Sequence, residues 1–239
     1  MAADTAQPPK RFYKTAYAAP LGEGHSVKLD ARLLKTPRQT PLLLPTRALA
    51  DLIAAEWQAQ ASVINLAAMP ATRLAFTASD HVAAAANETL AEVVSYASTD
   101  LLCYFAEAPA GLVKRQETEW GPLLDWAADE LGLRLQRARG IVHQAQPAAS
   151  LEQMTALVDS TDDFTLAGLA FAVGLYGSAV LALAVWRGRL GGEAAFDLSR
   201  LDEAFQEAQW GVDAEAAART AGRRREAQLL DRWFAALRA

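Results

Sequence analysis

At 239 residues the chain is long enough to bury a sizeable core in one large domain or two. With 52% hydrophobic and 21% charged residues it is globular rather than disordered, and a net charge of -5 argues against a nucleic-acid binder, which would carry a basic face. Cys103 is the single cysteine, which excludes an internal disulfide and argues against a cysteine-held metal.

The opening MAADTAQPPK has neither a signal-peptide pattern nor an arginine-rich amphipathic presequence, and reads as a polar tail on a cytosolic or already processed organellar chain. From Arg11 to Asp30 the strand formers Phe12, Tyr13, Tyr17, Val27 and Leu29 are punctuated by Pro20, Gly22 and Gly24, predicting a hairpin. A turn at Asp30 to Arg32 leads to short strands at Leu33-Leu34 and Leu42 to Leu44, on either side of TPRQTP. Thr46 starts the first helix. Its stripe of Leu49, Leu52, Ile53, Glu56, Trp57 and Gln60 places Trp57 against the sheet, with Glu56 at the edge as a solvated acid or a salt-bridge partner.

After Asn65 the pattern is mostly helical. Met69-Pro70 opens a helix with Leu74, Phe76 and Ala78, and Ala83 to Ala97 is an alanine-rich helix. Asp100 to Phe105 is an apolar run that periodicity leaves open between strand and helix start. A helix after Pro109 carries Leu112, Gln116, Trp120, Leu123, Leu124 and Ala127 and bends at Gly121-Pro122. Leu133 to Val142 alternates loosely, as a strand does, and a polar linker follows to Ser150. Phe164 to Trp186 is uncharged for 23 residues, enough to span a bilayer. Gly174, Gly177 and Ser178 interrupt it, however, and two short helices in a buried hairpin, capped by Asp163 and Ser178, fit better. Ala214 to Leu237 closes the chain with a stripe of Leu229, Leu230, Trp233 and Leu237, and Arg223 to Arg225 form a short basic turn on an exposed helix.

The stretch SRLDEAFQEAQWGVD, Ser199 to Asp213, stands apart. Ser199 and Asp202 have capping-box spacing, and Leu198, Leu201, Phe205, Ala208 and Val212 make a core-facing stripe. Glu203, Glu207 and Trp210 share the opposite face, where a tryptophan among acids implies cover by a second layer of the protein or by a partner.

Catalytic motifs are missing. His25, His81 and His143 are scattered, and no phosphate loop, nucleophile elbow or dinucleotide fingerprint is present. The pairs Asp202-Glu203 and Asp162-Asp163 are sequence neighbours that point apart on a helix, so neither makes an acid/base couple. No metal and no cofactor are expected. The alternative is a small-molecule enzyme with a site in a cleft between domains, around Asp100, Tyr104 or Glu203.

Seven strings in order carry a family resemblance: RFYK at Arg11, LDARLLKTPRQTPLLLPT at Leu29, EWQAQ at Glu56, MPATRLAFTASD at Met69, DLLCYF at Asp100, LVKRQETEWGPLLDW at Leu112 and LDEAFQEAQWGVD at Leu201. The chain resembles, over nearly its whole length, the assembly chaperone of the catalytic head of F-type ATP synthase, the family that binds the alpha subunit. The resemblance implies an α+β fold, with a small antiparallel β-rich domain holding one helix at 1–66 and a larger, mainly helical domain at 67–239. It implies a non-enzymatic, ATP-independent chaperone that shields the unassembled alpha subunit until the beta subunit replaces it, in the cytoplasm of a bacterium or the mitochondrial matrix of a eukaryote. The family's functionally important acid falls on Glu203. Glu207 and Trp210 join it through the helical face, with Gln206 in the same partner-binding set, while Trp57 and Glu56 are assigned to an interdomain or partner contact. Two departures stand out: Ala31 where glycine is common, and Phe105 where arginine is common.

Overall fold

The computed structural model describes residues 9–211 and 213–239, so the tail expected at Met1 to Pro8 lies outside the described residues. The first turn forms where glycine was expected to make it. Gly22, at a φ of 57°, lets the chain reverse between β1 (Ala16–Leu21) and β2 (Gly24–Leu29), which pair antiparallel with Ala16 opposite Leu29. The second reversal places Asp30, not Ala31, in the left-handed region, at a φ of 54°. Its carboxylate accepts the Thr15 N–H at 2.9 Å and the Lys14 N–H at 3.1 Å, and these bonds hold the Asp30 pKa below the usual carboxylate range. Alanine at 31 therefore costs the turn nothing. β3 (Arg32–Leu33) completes the three-stranded antiparallel sheet in the order β1-β2-β3, whereas Leu42 to Leu44, expected as a strand, makes only isolated contacts: the Leu42 N–H donates to the Leu34 carbonyl at 3.0 Å, and His25 and Leu44 exchange two backbone bonds.

Thr46 caps α1 (Arg47–Gln58), its hydroxyl accepting the Leu49 N–H at 3.1 Å. α1 lies against β1 and β2 and buries Leu49, Ile53 and Trp57. Pro70 then opens α2 (Pro70–Asp80) as its first helical residue, a position where its missing N–H costs nothing. The chain divides into two compact units: one ends at Ala84 and also takes in Ala235–Ala239, and the other is Ala85–Phe234. In the first, the Thr46 hydroxyl also donates to the Ala236 carbonyl at 2.6 Å.

The second unit holds α3 (Ala86–Ser98), β4 (Tyr104–Phe105), α4 (Ala110–Glu119), α5 (Gly121–Leu131), β5 (Ala138–Arg139), α6 (Ala148–Asp159), α7 (Asp163–Tyr176), α8 (Ala179–Trp186), α9 (Gly192–Ser199), α10 (Leu201–Trp210) and most of α11 (Ala214–Arg238). The protein is thus α+β, with a three-stranded sheet followed by a mainly helical region. The uncharged run is a helical hairpin. Gly177, at a φ of 66°, ends α7, and Ser178 accepts the Leu181 N–H to begin α8. α3, α5 and α9 all pack on this hairpin, so α8 is apolar all round because protein surrounds it. No helix among the described residues is long and apolar enough to cross a membrane.

Several expectations are corrected. Asp162, not Asp163, caps α7, accepting the Phe164 and Thr165 N–H groups and the Thr165 hydroxyl. Of the loose alternation at Leu133 to Val142 only Ala138–Arg139 is a strand, parallel to β4. α9 is a separate helix that ends at Ser199, the residue expected to start the next one. Phe105, where the resemblance put arginine, buries its ring against Trp120, centroid to centroid 5.9 Å.

Candidate functional site

α10 is the helix least absorbed by its own protein. Of its ten residues only Leu201 is fully buried, while Phe205 is half-buried and Ala208 exposed, so the expected core stripe is shorter than its pattern suggested. Val212, the last member of that stripe, lies outside the described residues. Glu203, Gln206 and Trp210 are all exposed, Trp210 by 78%. Glu207 is half-buried and pairs with Arg200 at 2.6 Å. Glu203, by contrast, has no ion-pair partner among the described residues.

The start of α10 differs from the capping-box reading. Ser199 belongs to the last turn of α9, where its hydroxyl donates to the Phe196 carbonyl at 2.8 Å, and Arg200 occupies the cap position without a side-chain capping bond. The α9 and α10 helices follow so closely that no residue is left to cap in the usual way. Asp202 is used elsewhere. Its carboxylate accepts the Gln116 side-chain amide at 2.7 Å, and the other end of that amide accepts the Ala106 N–H at 2.7 Å. Gln116 is fully buried, so one amide ties the α10 start to α4 and to the chain leaving β4. The Phe205 ring adds a second tie, lying beside Gly111 on α4. Asp202 and Glu203 both sit in the first turn, where the positive end of the helix dipole favours carboxylates.

The arginines expected to form a basic turn are partly internal. Arg224 pairs with Asp197 at 2.6 Å and Glu193 at 3.6 Å, which bind α11 to α9 and raise the Arg224 pKa above its ordinary value. Arg200 and Arg224 both approach the Phe196 ring, at 5.9 and 5.5 Å. Arg224 thus braces α9, Arg200 braces the start of α10 through Glu207, and the outer face of α10 presents an acid, an amide and an indole. Such a face suits protein recognition, in which a tryptophan beside polar groups is a common anchor.

Trp57 and Glu56, the other sequence-selected pair, lie in the first unit. Trp57 is 6% exposed, its ring 5.8 Å from that of Tyr13, whose hydroxyl donates to the Trp57 carbonyl at 2.7 Å. Burial pushes the Tyr13 phenol up, with the nearby Arg11 charge opposing the shift. Glu56 is neither a solvated acid nor a salt-bridge partner. Its two oxygens accept the Ala71 N–H at 2.8 Å and the Thr72 N–H and hydroxyl, each at 2.7 Å, which caps α2 from a distance.

Asp100 and Tyr104, with Glu203, are the polar groups around which an enzyme site was expected. Asp100 is wholly buried where the short 3-10 turn of residues 101–103 meets the start of α8, its oxygens accepting the Leu102 N–H at 3.0 Å and the Val180 N–H at 2.9 Å. Burial raises its pKa to about 6, against the pull of these bonds. Burial likewise pushes the Cys103 thiol up, which leaves it an inert small hydrophobe.

Residues 10–128 match the family described as ATP12 chaperone protein. Two solved structures of Atp12 from Paracoccus denitrificans, one of a mutant, are 42% identical in sequence, with 95% of this chain and 97% of theirs covered at a TM-score of 0.90. A structure from Agrobacterium tumefaciens, described as a chaperone candidate, is 38% identical over 96% of this chain and 86% of its own, at a TM-score of 0.88. The chain belongs to the ATP12 chaperone family. That family acts in F1 ATP synthase assembly and is non-enzymatic, which sets aside the small-molecule enzyme.

The roles of Gln116, Arg200 and Asp202 were not read from the sequence. A polar Gln116 inside the apolar stripe of α4 was the available signal, since a glutamine at a core position demands buried partners.

Proposed function

We propose that this protein is an ATP-independent chaperone for the unassembled alpha subunit of F-type ATP synthase. It shields the alpha interface until the beta subunit takes it over. The observation that carries this reading is the outward face of α10: Glu203, Gln206 and Trp210 are exposed on a helix that the chain anchors firmly from the other side. An orphan subunit exposes an apolar interface that aggregates unless covered. Trp210 supplies apolar contact to such an interface, and Glu203 supplies a charge that a basic group on alpha would meet. Glu207, with its charge answered by Arg200, steadies the face from its edge. Trp57 and Glu56 serve this function through the fold of the first unit, as packing and capping residues.

Release needs no nucleotide. The larger native alpha–beta interface outcompetes a smaller chaperone contact, because affinity follows the quality and extent of the buried surface. The place of action is where F1 is assembled, in the bacterial cytoplasm or the mitochondrial matrix. Immobilised protein should retain newly made alpha subunit, and Glu203→Lys should release it without loss of folding. Equal retention by the folded variant would remove Glu203 from the site.

A further inference from the structure

Besides Trp210, the large apolar side chains left exposed among the described residues of the second unit are Ile141 and Val142, at 98% and 69%. They stand together at the tip of the loop after β5. Two adjacent β-branched side chains in water gain nothing for the fold, because no apolar surface is covered by them. The loop beneath them is built to hold its shape. Gln146, itself buried, clamps Gln136 in both directions, accepting its N–H at 2.6 Å and donating to its carbonyl at 3.1 Å. The Gly140 N–H donates to the Phe105 carbonyl at 2.8 Å, and the Tyr104 hydroxyl meets His143 Nδ1 at 3.2 Å. The tip is thus an apolar projection on a fixed frame, which lowers the ordering cost of any contact it makes.

The frame leads to α4, the helix that anchors α10. Arg139, next to Gly140, pairs with Glu117 at 2.9 Å, and the neighbouring Gln116 holds Asp202 at the start of α10. Gln116 also binds the Ala106 N–H, one residue beyond the Phe105 carbonyl that receives Gly140. Consecutive α4 residues therefore fix the loop and α10 to one support.

We infer that the Ile141–Val142 tip is a second contact for the protein that docks on α10, seating in an apolar depression of that client's exposed interface. The inference rests on the alpha-subunit reading above. Size favours a shared occupant. Ten residues of α10, or two of a loop tip, each fall well short of the roughly 800 Å² per partner of a stable interface. Both are tied to α4, so one client can meet them together. A second copy of this chain is the competing occupant, and it would show as a concentration-dependent dimer.

The test compares the full chain, the double variant Ile141→Ser/Val142→Ser and Trp210→Ala for binding to newly made alpha subunit. The double variant should bind at least tenfold more weakly, while its thermal midpoint stays that of the parent, since neither side chain is packed. A photoreactive side chain at position 142 should crosslink to alpha. Retention by the double variant within twofold of the parent, with no crosslink from 142, overturns the inference and leaves the α10 site standing. Failure of the parent itself to retain alpha overturns the functional reading, and the inference with it. A concentration-dependent dimer abolished by the double variant overturns the inference in favour of self-association.

Discussion

Replacing Gln116 with methionine keeps the side-chain volume and removes both of its hydrogen bonds, so it isolates the tie between α4 and α10. Gln116 is completely buried and makes two bonds of 2.7 Å, to the Ala106 N–H and the Asp202 carboxylate. A methionine leaves the Ala106 N–H without an acceptor, at a cost of about 1–2 kcal/mol. The Asp202 side is half-exposed, so water replaces much of that bond and the loss there is about 1 kcal/mol or less. Core volume is conserved, which keeps the packing change below about 1.5 kcal/mol. The expected destabilisation is therefore about 2–3 kcal/mol, read from denaturant unfolding. Hydrogen exchange should locate it, with α10 amides exchanging faster than those of the α7–α8 hairpin. A loss under about 0.5 kcal/mol with α10 protection unchanged would refute the anchoring role of this amide.

Glu56→Ala strips three donors at the start of α2 of their acceptor, and should cost about 2 kcal/mol in denaturant unfolding, with the loss confined to folding and no separate defect in client binding per folded molecule. Asp100 gives a pH signature. Its folded pKa of about 6 lies above the ordinary 3.8, so the folded chain takes up this proton more readily than the unfolded one. The protonated form thus favours folding below about pH 3.8, and that advantage is lost as pH rises through 6, by up to about 3 kcal/mol. Unfolding free energies of Asp100→Asn and parent, followed from pH 4 to 7, should diverge by a pH-dependent difference within this window. Parallel curves would mean that the carboxylate is held at an ordinary pKa by its backbone bonds.

Local chemistry made much of this fold readable. Gly22, Thr46, Pro70, Gly177 and Ser178 each act through a φ angle, a missing N–H or a capping hydroxyl, all properties of single residues, and each stands at the boundary expected of it. The uncharged hairpin was equally legible, because Gly177 and Ser178 divide a run that length alone would have sent through a membrane. Contacts across the chain were not. Glu56 reaches fifteen residues to cap α2, and Gln116 reaches 86 to hold Asp202, and no local period encodes either pairing. The capping box at Ser199 failed for a related reason: α9 ends at the residue that should have begun α10, and Asp202 found a distant partner. At the candidate site, periodicity correctly separated Glu203 and Trp210 from Leu201, yet exposure of Trp210 depends on where α11 lies, which no helical wheel contains.

The most direct measurement is quantitative binding of newly made alpha subunit to the immobilised full chain, beside Glu203→Lys and with purified beta subunit added at the end. The parent should retain alpha and surrender it to beta without nucleotide, and the folded variant should retain little. Binding that is absent in the parent, unchanged by Glu203→Lys, or released only by ATP would contradict the α10 face as the seat of chaperone action.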